Sequence, residues 1–210
     1  MKTYRVKMPA TTLPVDTERR QGGQCWNICR KCLESRRVSM TTIDPPPLTI
    51  VQPGDGSSGT LGSIGVDFKL WGNDTGGAVS IVEHPFPVGA LVPPHLHTRE
   101  DEYSIVIEGE IGFRSGDREA VLGAGGYITK PRNELHAMWN AGAVPARMIE
   151  VISPAGFENF FRELSELLLS VSEPDLSQIA EIAGRYGLQF GQPDWLPDVI
   201  SRYNLTRLPE

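Results

Sequence analysis

The sequence predicts an all-β sandwich or small barrel, followed by two helices packed on its outside. Short segments rich in β-branched and aromatic residues recur between turn signals, and the 210 residues include 22 Gly and 17 Pro, as tight turns between strands require. Between Val66 and Leu70, apolar residues alternate with Asp67 and Lys69, which indicates a strand with one buried face. After Ser153 the apolar period becomes helical.

Turn-forming residues divide the predicted strands from one another at regular intervals. The strands are expected at 48–52, 66–70, 78–83, 102–108, 111–114, 119–122, 127–130, 135–140 and 146–153. The first helix is expected where an apolar stripe runs through 157–171. The second should start at Asp175-x-x-Gln178, a capping-box pattern, and stop at Gly187.

We therefore expect a β-barrel at 41–155 and a C-terminal helical extension at 156–210, preceded by an N-terminal extension at 1–40 that is disordered or not native. Residues 1–40 hold nine Lys/Arg against three Asp/Glu, whereas the rest holds eleven against twenty-three. The extension could be a basic tail, a leader translated upstream of Met40, or a transit peptide. Its Cys25, Cys29 and Cys32 have the spacing of a radical-SAM cluster, but no repeated αβ barrel follows.

The negative charge of residues 41–210 indicates which classes of partner are unfavourable. The net charge of −6 at pH 7 is concentrated in the part expected to fold, which argues against nucleic acid or an anionic membrane as partner. The sequence contains no apolar run of membrane-spanning length and does not open on a signal-peptide pattern. We expect a cytoplasmic protein that acts on a small molecule.

Three of the four histidines lie at metal-ligand spacing. His95 and His97 are two residues apart, so a strand would turn both to the same side. A chain reversal at 98–101 would let Glu102 begin the next strand facing inward, and His136 would join from a later strand. The alternative is that the histidines are core residues and that Arg99-Glu100-Asp101-Glu102 is a solvated acidic turn.

Two segments resemble the paired motifs of the cupin superfamily. The first segment is GALVPPHLHTREDEYSIVIEG, in which two glycines, two histidines and a glutamate stand at the spacing of the first motif. The second segment is GGYITKPRNELHAMWN. Asn133 stands where the family usually has glycine, and asparagine tolerates the positive φ of such a turn. The resemblance implies a double-stranded β-helix, or cupin jelly roll, with a metal inside.

The implied metal ligands are His95, His97, Glu102 and His136. This set suits one divalent transition ion, Fe, Mn, Ni, Co or Cu, with two open positions in an octahedral geometry. A closed zinc site is the alternative. The alternation of the strands places Val106 and Met138 on the same faces as the ligands, as candidate substrate-pocket residues. His84, beside a proline, is expected at the surface or a hinge.

Further features are similar to those of bacterial quercetin 2,3-dioxygenase-like cupins. They include Asp74-Thr75-Gly76-Gly77, Pro154-Ala155-Gly156 and Tyr186-Gly187-Leu188. The resemblance implies a dioxygenase that cleaves an aromatic or enolic, flavonol-like substrate, with Glu102 as both ligand and catalytic base. Another cupin enzyme (an isomerase, decarboxylase or lyase) and a non-catalytic small-molecule-binding cupin are the alternatives. The helical stripes could also form a homodimer interface.

Overall fold

The computed structural model describes residues 45–171 and 175–206. The predictions about residues 1–40, including the three cysteines, lie outside these ranges. The strands are β1 (Ser58–Thr60), β2 (Gly65–Leu70), β3 (Ser80–Phe86), β4 (Leu91–His97), β5 (Asp101–Glu108), β6 (Glu110–Ser115), β7 (Arg118–Gly123), β8 (Tyr127–Lys130), β9 (His136–Asn140), β10 (Ala146–Ser153) and β11 (Leu188–Phe190). The helices are α1 (Glu158–Ser170), α2 (Leu176–Tyr186) and α3 (Leu196–Tyr203).

The described strands form two antiparallel sheets. The larger sheet has the order β1-β2-β3-β10-β5-β8, and the smaller has the order β11-β4-β9-β6-β7. In β3 and β10, buried residues alternate regularly with half-buried ones, because one face of the sheet packs on the core. This arrangement confirms the predicted jelly roll, and both predicted C-terminal helices are present.

Two of the motif residues stand in turns where the backbone has a positive φ. Gly109 joins β5 to β6 with φ +65°, and a Cβ there would lie 2.8 Å from backbone and side-chain atoms of Ala146. Asn133 has φ +63°, which confirms that asparagine replaces glycine in a left-handed turn.

The core falls into clusters that hold different parts together. Between the sheets lie Ile64, Phe86, Ala90, Val106, Ile111, Phe113, Met138, Ala146 and Met148. Helix α1 adds Phe157, Phe160, Phe161 and Leu164 to a cluster with Val66, Phe68, Val82 and Ile152. Val82 and Phe86 share a face of β3, so α1 packs on the inner face of the larger sheet at one end of the barrel.

The structure departs from the predicted elements in a few places. Residues 48–52 form no strand, and Leu48 and Ile50 are 88% and 69% exposed, so this apolar stretch does not form the buried face that its pattern predicted. Strands β1 and β11 and helix α3 were not predicted, because each is short and lies in a segment rich in turn residues. No helix in the described ranges is long and apolar enough to cross a membrane.

Candidate metal centre

The four predicted ligands come together at one end of the barrel. His95, His97, Glu102 and His136 each place one ligand atom so that all four atoms lie within 4.8 Å of one another. All four side chains are buried, and His95 is the most exposed of them at 6%. The structure therefore brings these residues together in an arrangement that could hold a metal ion.

Strand pairing and one reversal produce this convergence. His95 on β4 lies opposite His136 on β9, and β4 ends at His97. The chain then reverses, and β5 begins at Asp101, which turns Glu102 inward as the second residue of its strand. The reversal expected at 98–101 is present, and it resolves the odd spacing between His97 and Glu102.

Each imidazole is fixed through its Nδ1 atom. His95 Nδ1 lies 2.7 Å from the carbonyl oxygen of Pro93, and His136 Nδ1 lies 2.9 Å from that of Glu134. His97 Nδ1 lies 2.7 Å from the Glu100 carboxylate. An acceptor at Nδ1 selects the tautomer with the proton there and leaves Nε2 as a lone-pair donor, as outer partners of metal-bound histidines do.

Within the described part of the chain, two inward-facing imidazole nitrogens lack a hydrogen-bond partner, and a bound cation would take that place. His97 Nε2 and His136 Nε2 are buried and find no hydrogen-bond partner among residues 45–171 and 175–206, and the buried Glu102 Oε2 forms an ion pair with Lys130 Nζ at 2.9 Å. Glu102 Oε2 lies 3.3 Å from His97 Nε2 and 3.7 Å from His136 Nε2. Adjacent ligand atoms around an ion with bonds of about 2.1 Å lie about 3–4 Å apart. The residues therefore fit a metal ion.

The four candidate ligands differ in the direction of their pKa shifts when no metal is bound. Burial lowers the pKa of His95 well below its usual value, with His136 and His97 adding to the effect, and burial also lowers the pKa of His136. Burial opposes charge on His97 too, but Glu102 and Glu100 outweigh it and raise that pKa to about 9. Burial would raise the pKa of Glu102, yet His97 and Lys130 hold it well below normal. His97 must therefore lose a proton when a metal binds.

Sequence reasoning missed a buried ionic group beside these ligands. Lys130 Nζ lies 2.9 Å from Glu102 Oε2 and 2.6 Å from Glu150 Oε2. The Ser104 hydroxyl donates to both Glu150 oxygens at 3.0 and 3.2 Å. The available signal was alternation: Glu150 stands between Met148 and Ile152 on the apolar face of β10.

The C-terminal extension forms one wall of the site. The ring of Phe157, at the start of α1, packs edge-on against His97 with centroids 4.3 Å apart. Strand β11 pairs with β4, so that Leu188 lies opposite His97 and Phe190 opposite His95. The Gly187 carbonyl accepts hydrogen bonds from the backbone N–H and hydroxyl of Thr98. The extension therefore supports the strand that carries two candidate ligands.

The fourth histidine was placed wrongly by the sequence. His84 was expected at the surface or a hinge, but it is 1% exposed, because β3 continues through Pro85 to Phe86 and its alternation turns His84 inward. Its Nδ1 donates to the Gly65 carbonyl at 2.8 Å, and burial lowers its pKa to about 4. His84 is a neutral core residue outside the ligand cluster.

The two predicted pocket residues lie in the apolar core next to the ligands. Val106 is 0% exposed and Met138 is 4% exposed. The Met138 sulfur lies 3.7 Å from Lys130 Nζ, so Met138 borders the ionic group directly. Both residues share the inward face with a ligand on their strand, as alternation predicted.

Comparisons with known proteins support the cupin superfamily. Residues 83–152 match the family model described as a cupin domain, and this segment contains all four candidate ligands. A stretch of 69 residues is 41% identical to germin-like protein subfamily T member 2 of Arabidopsis thaliana. The match covers 30% of this chain and 31% of that protein, so the chain spans about a third of the length of this curated relative.

Solved structures give a weaker likeness. KdgF from Halomonas sp. aligns with a TM-score of 0.49 at 17% identity, over 54% of this chain and 99% of its own. The polyketide cyclase RemF from Streptomyces resistomycificus aligns with a TM-score of 0.46 at 20% identity, over 51% of this chain and 80% of its own. At these scores the likeness assigns no activity to this chain.

Proposed function

We propose that this protein is a metal-dependent cupin dioxygenase that cleaves an aromatic or enolic, flavonol-like substrate. The observation that carries the metal dependence is the convergence of His95, His97, Glu102 and His136, in which the buried Nε2 atoms of two of the histidines lack hydrogen-bond partners among the described residues. The choice of a dioxygenase rests on the sequence resemblance to quercetin 2,3-dioxygenase-like cupins.

The proposed cofactor is one divalent transition ion, Fe, Mn, Ni, Co or Cu, held by those four residues. When bound, such an ion supplies Lewis-acid and redox chemistry toward an oxygen-chelating substrate and dioxygen. The protein contributes fixed imidazoles, because each Nδ1 is already engaged, and a buried, water-poor surrounding. Phe157 and α1 contribute to that exclusion of water by packing against His97.

Glu102 is the proposed proton acceptor for the substrate hydroxyl. His97 and Lys130 lower its pKa, so Glu102 is matched to an acidic hydroxyl, such as that of an enol or a flavonol, better than to an aliphatic alcohol. Val106 and Met138 are the proposed apolar lining against which an aromatic ring would rest. Both suggestions concern the inward faces of β5 and β9, which belong to the two opposite sheets.

The test begins with metal content and proceeds to oxygen use. Protein produced with several metals available is expected to contain about one transition ion per chain by elemental analysis. An oxygen electrode should then record uptake on addition of a flavonol, and the same protein stripped with a chelator should show none. Metal-loaded protein that consumes no oxygen with any flavonol or enediol would refute the dioxygenase proposal.

Glu102→Gln tests the base role against the ligand role. This variant should retain more metal than His95→Ala, because a Gln oxygen remains available as a neutral ligand, but its turnover should fall about 100-fold or more. Metal content and oxygen uptake are measured on the same samples. Full activity in Glu102→Gln would remove Glu102 from the chemistry while leaving the metal proposal intact.

The two alternatives have distinct signatures. Turnover of a substrate under strict exclusion of oxygen would identify an isomerase, decarboxylase or lyase on the same metal. Saturable binding of a small molecule without turnover would identify a non-catalytic binding cupin. Each result leaves the metal centre in place and changes only the reaction assigned to it.

A further inference from the structure

Lys130 is a buried lysine held between two carboxylates. Its side chain is 2% exposed, and Nζ lies 2.9 Å from Glu102 Oε2 and 2.6 Å from Glu150 Oε2. The Met138 sulfur also lies 3.7 Å from Nζ. A buried ammonium without carboxylate partners would be very costly, so its position is determined by Glu102 and Glu150 together.

One oxygen of Glu102 lies close both to the Lys130 ammonium and to the proposed position of the metal ion. The Oε2 atom near Lys130 is also the atom 3.3 Å from His97 Nε2 and 3.7 Å from His136 Nε2. Lys130 and an ion among the histidines would therefore be attracted to the same carboxylate oxygen while repelling each other. In a buried site this repulsion is weakly screened.

Glu150 acts on Lys130 from the other side. Ser104 on β5 donates to both Glu150 oxygens, which fixes this carboxylate on β10. The contact of Lys130 with Glu150, at 2.6 Å, is shorter than its contact with Glu102, at 2.9 Å. Glu150 is therefore the closer of the two carboxylate partners of Lys130.

We propose that Lys130 and Glu150 are positioning residues that set the metal affinity of the centre in opposite directions. Lys130 competes with the ion for Glu102 and weakens binding, whereas Glu150 draws Lys130 away from Glu102 and strengthens it. The pair would let this site hold its ion less tightly than four ligands alone would. This inference rests on the metal-binding part of the proposed function.

The test compares Co²⁺ affinity in the full-length protein and its variants, by competition with a chromophoric chelator. The assay is run at about pH 8, because burial raises the pKa of Glu150 to about 7 and the carboxylate should be charged. Lys130→Met should bind Co²⁺ at least about tenfold more tightly than the wild type, and Glu150→Gln at least about tenfold more weakly. Lys130→Arg, which keeps the charge, should remain near the wild type.

The opposite signs separate this proposal from a structural role. If both residues merely support the fold, Lys130→Met and Glu150→Gln will both bind Co²⁺ more weakly, and the proposal is overturned. Should Lys130→Met fail to fold, the double variant Lys130→Met/Glu150→Gln decides: it must restore the affinity that Glu150→Gln loses, and failure to restore it overturns the proposal. Wild-type protein that binds no Co²⁺ would overturn the proposed function as well.

Discussion

The space between the two sheets has a polar end and an apolar end, although the same strands build both. Strand β5 contributes Glu102 to the polar end and Val106 to the apolar one, and β9 contributes His136 and Met138 in the same way. Alternation puts residues two and four apart on one face. A strand can therefore carry a ligand and a core residue without any irregular backbone between them.

The apolar end contributes mainly to the stability of the fold, whereas the polar end carries the candidate metal ligands. The apolar end buries large side chains such as Phe86, Ile111 and Met148 completely, and burial of this kind is the main favourable term in folding. The polar end buries Lys130 and several carboxylates, which contribute little net stability even when paired. We therefore expect substitutions at the two ends to have separable effects on metal binding and on folding.

The largest effect is expected from removing one imidazole of the polar end. His95→Ala or His136→Ala should lose most bound metal, since each removes one of the four converging donors. The matched control is His84→Asn, which removes an equally buried histidine but keeps a donor near the position of Nδ1 for the Gly65 carbonyl. Elemental analysis of the folded proteins measures all three variants.

The control also shows how the comparison could fail. His84→Asn should retain the metal content of the wild type, because His84 lies outside the ligand cluster. If His84→Asn lost metal as completely as His95→Ala, the distinction drawn between the polar end and its surroundings would be wrong.

At the apolar end, Phe86→Ala should destabilise the fold without altering the ligands. Phe86 is 0% exposed within the cluster between the sheets, so the cavity should cost about 3–5 kcal/mol in the free energy of unfolding. Denaturant unfolding of metal-free protein measures this cost, and Tyr127→Ala, at a site 74% exposed, is the aromatic control with a much smaller loss. A large drop in metal affinity of folded Phe86→Ala would show that the ends are coupled.

The pH dependence of stability tests whether His84 is buried in its neutral form, outside the ligand cluster. Its pKa falls from 6.5 to about 4 on folding, so the folded protein binds fewer protons than the unfolded chain. The stability that neutral His84 contributes is present above pH 6.5 and is lost as the pH falls toward 4. Relative to His84→Asn, the wild type should lose about 3 kcal/mol over that window, measured by unfolding with a chelator present. Parallel pH curves for the two proteins would contradict the buried neutral state.

Alternation and spacing, together with the resemblance of two segments to the cupin motifs, predicted much of the fold and the ligand cluster. The turn at Asn133, the reversal before Glu102 and the capped second helix are local features, and each is confirmed. The helix starting after Asp175 has both capping-box hydrogen bonds and ends at Gly187 with φ +76°. Short-range rules suffice here because the residues that decide the outcome are adjacent in the chain.

What the sequence could not predict depends on contacts between distant segments. His84 was misplaced because Pro85 suggested a break, yet β3 continues through it and pairs with β10. The partnership of Lys130 with Glu150 requires β8 and β10 to flank β5, a strand order that local pattern does not encode. The support of β4 by β11 likewise joins residues about 90 positions apart.

The smallest effect is expected at the exposed counterpart of the buried ion pair. Asp101 precedes Glu102 on β5, and Arg132 lies two residues after Lys130, past the end of β8. Arg132 donates to both Asp101 oxygens, with a 2.8 Å contact to Oδ2. This pair faces solvent, where ion pairs contribute little and are screened by salt. Arg132→Ala should therefore shift the melting temperature only slightly, and less at high salt, whereas Lys130→Ala should shift it substantially, because it leaves Glu102 and Glu150 buried without their cation. Equal shifts for the two variants in one melting series would show that the difference in burial between the inner pair and the outer one does not affect stability.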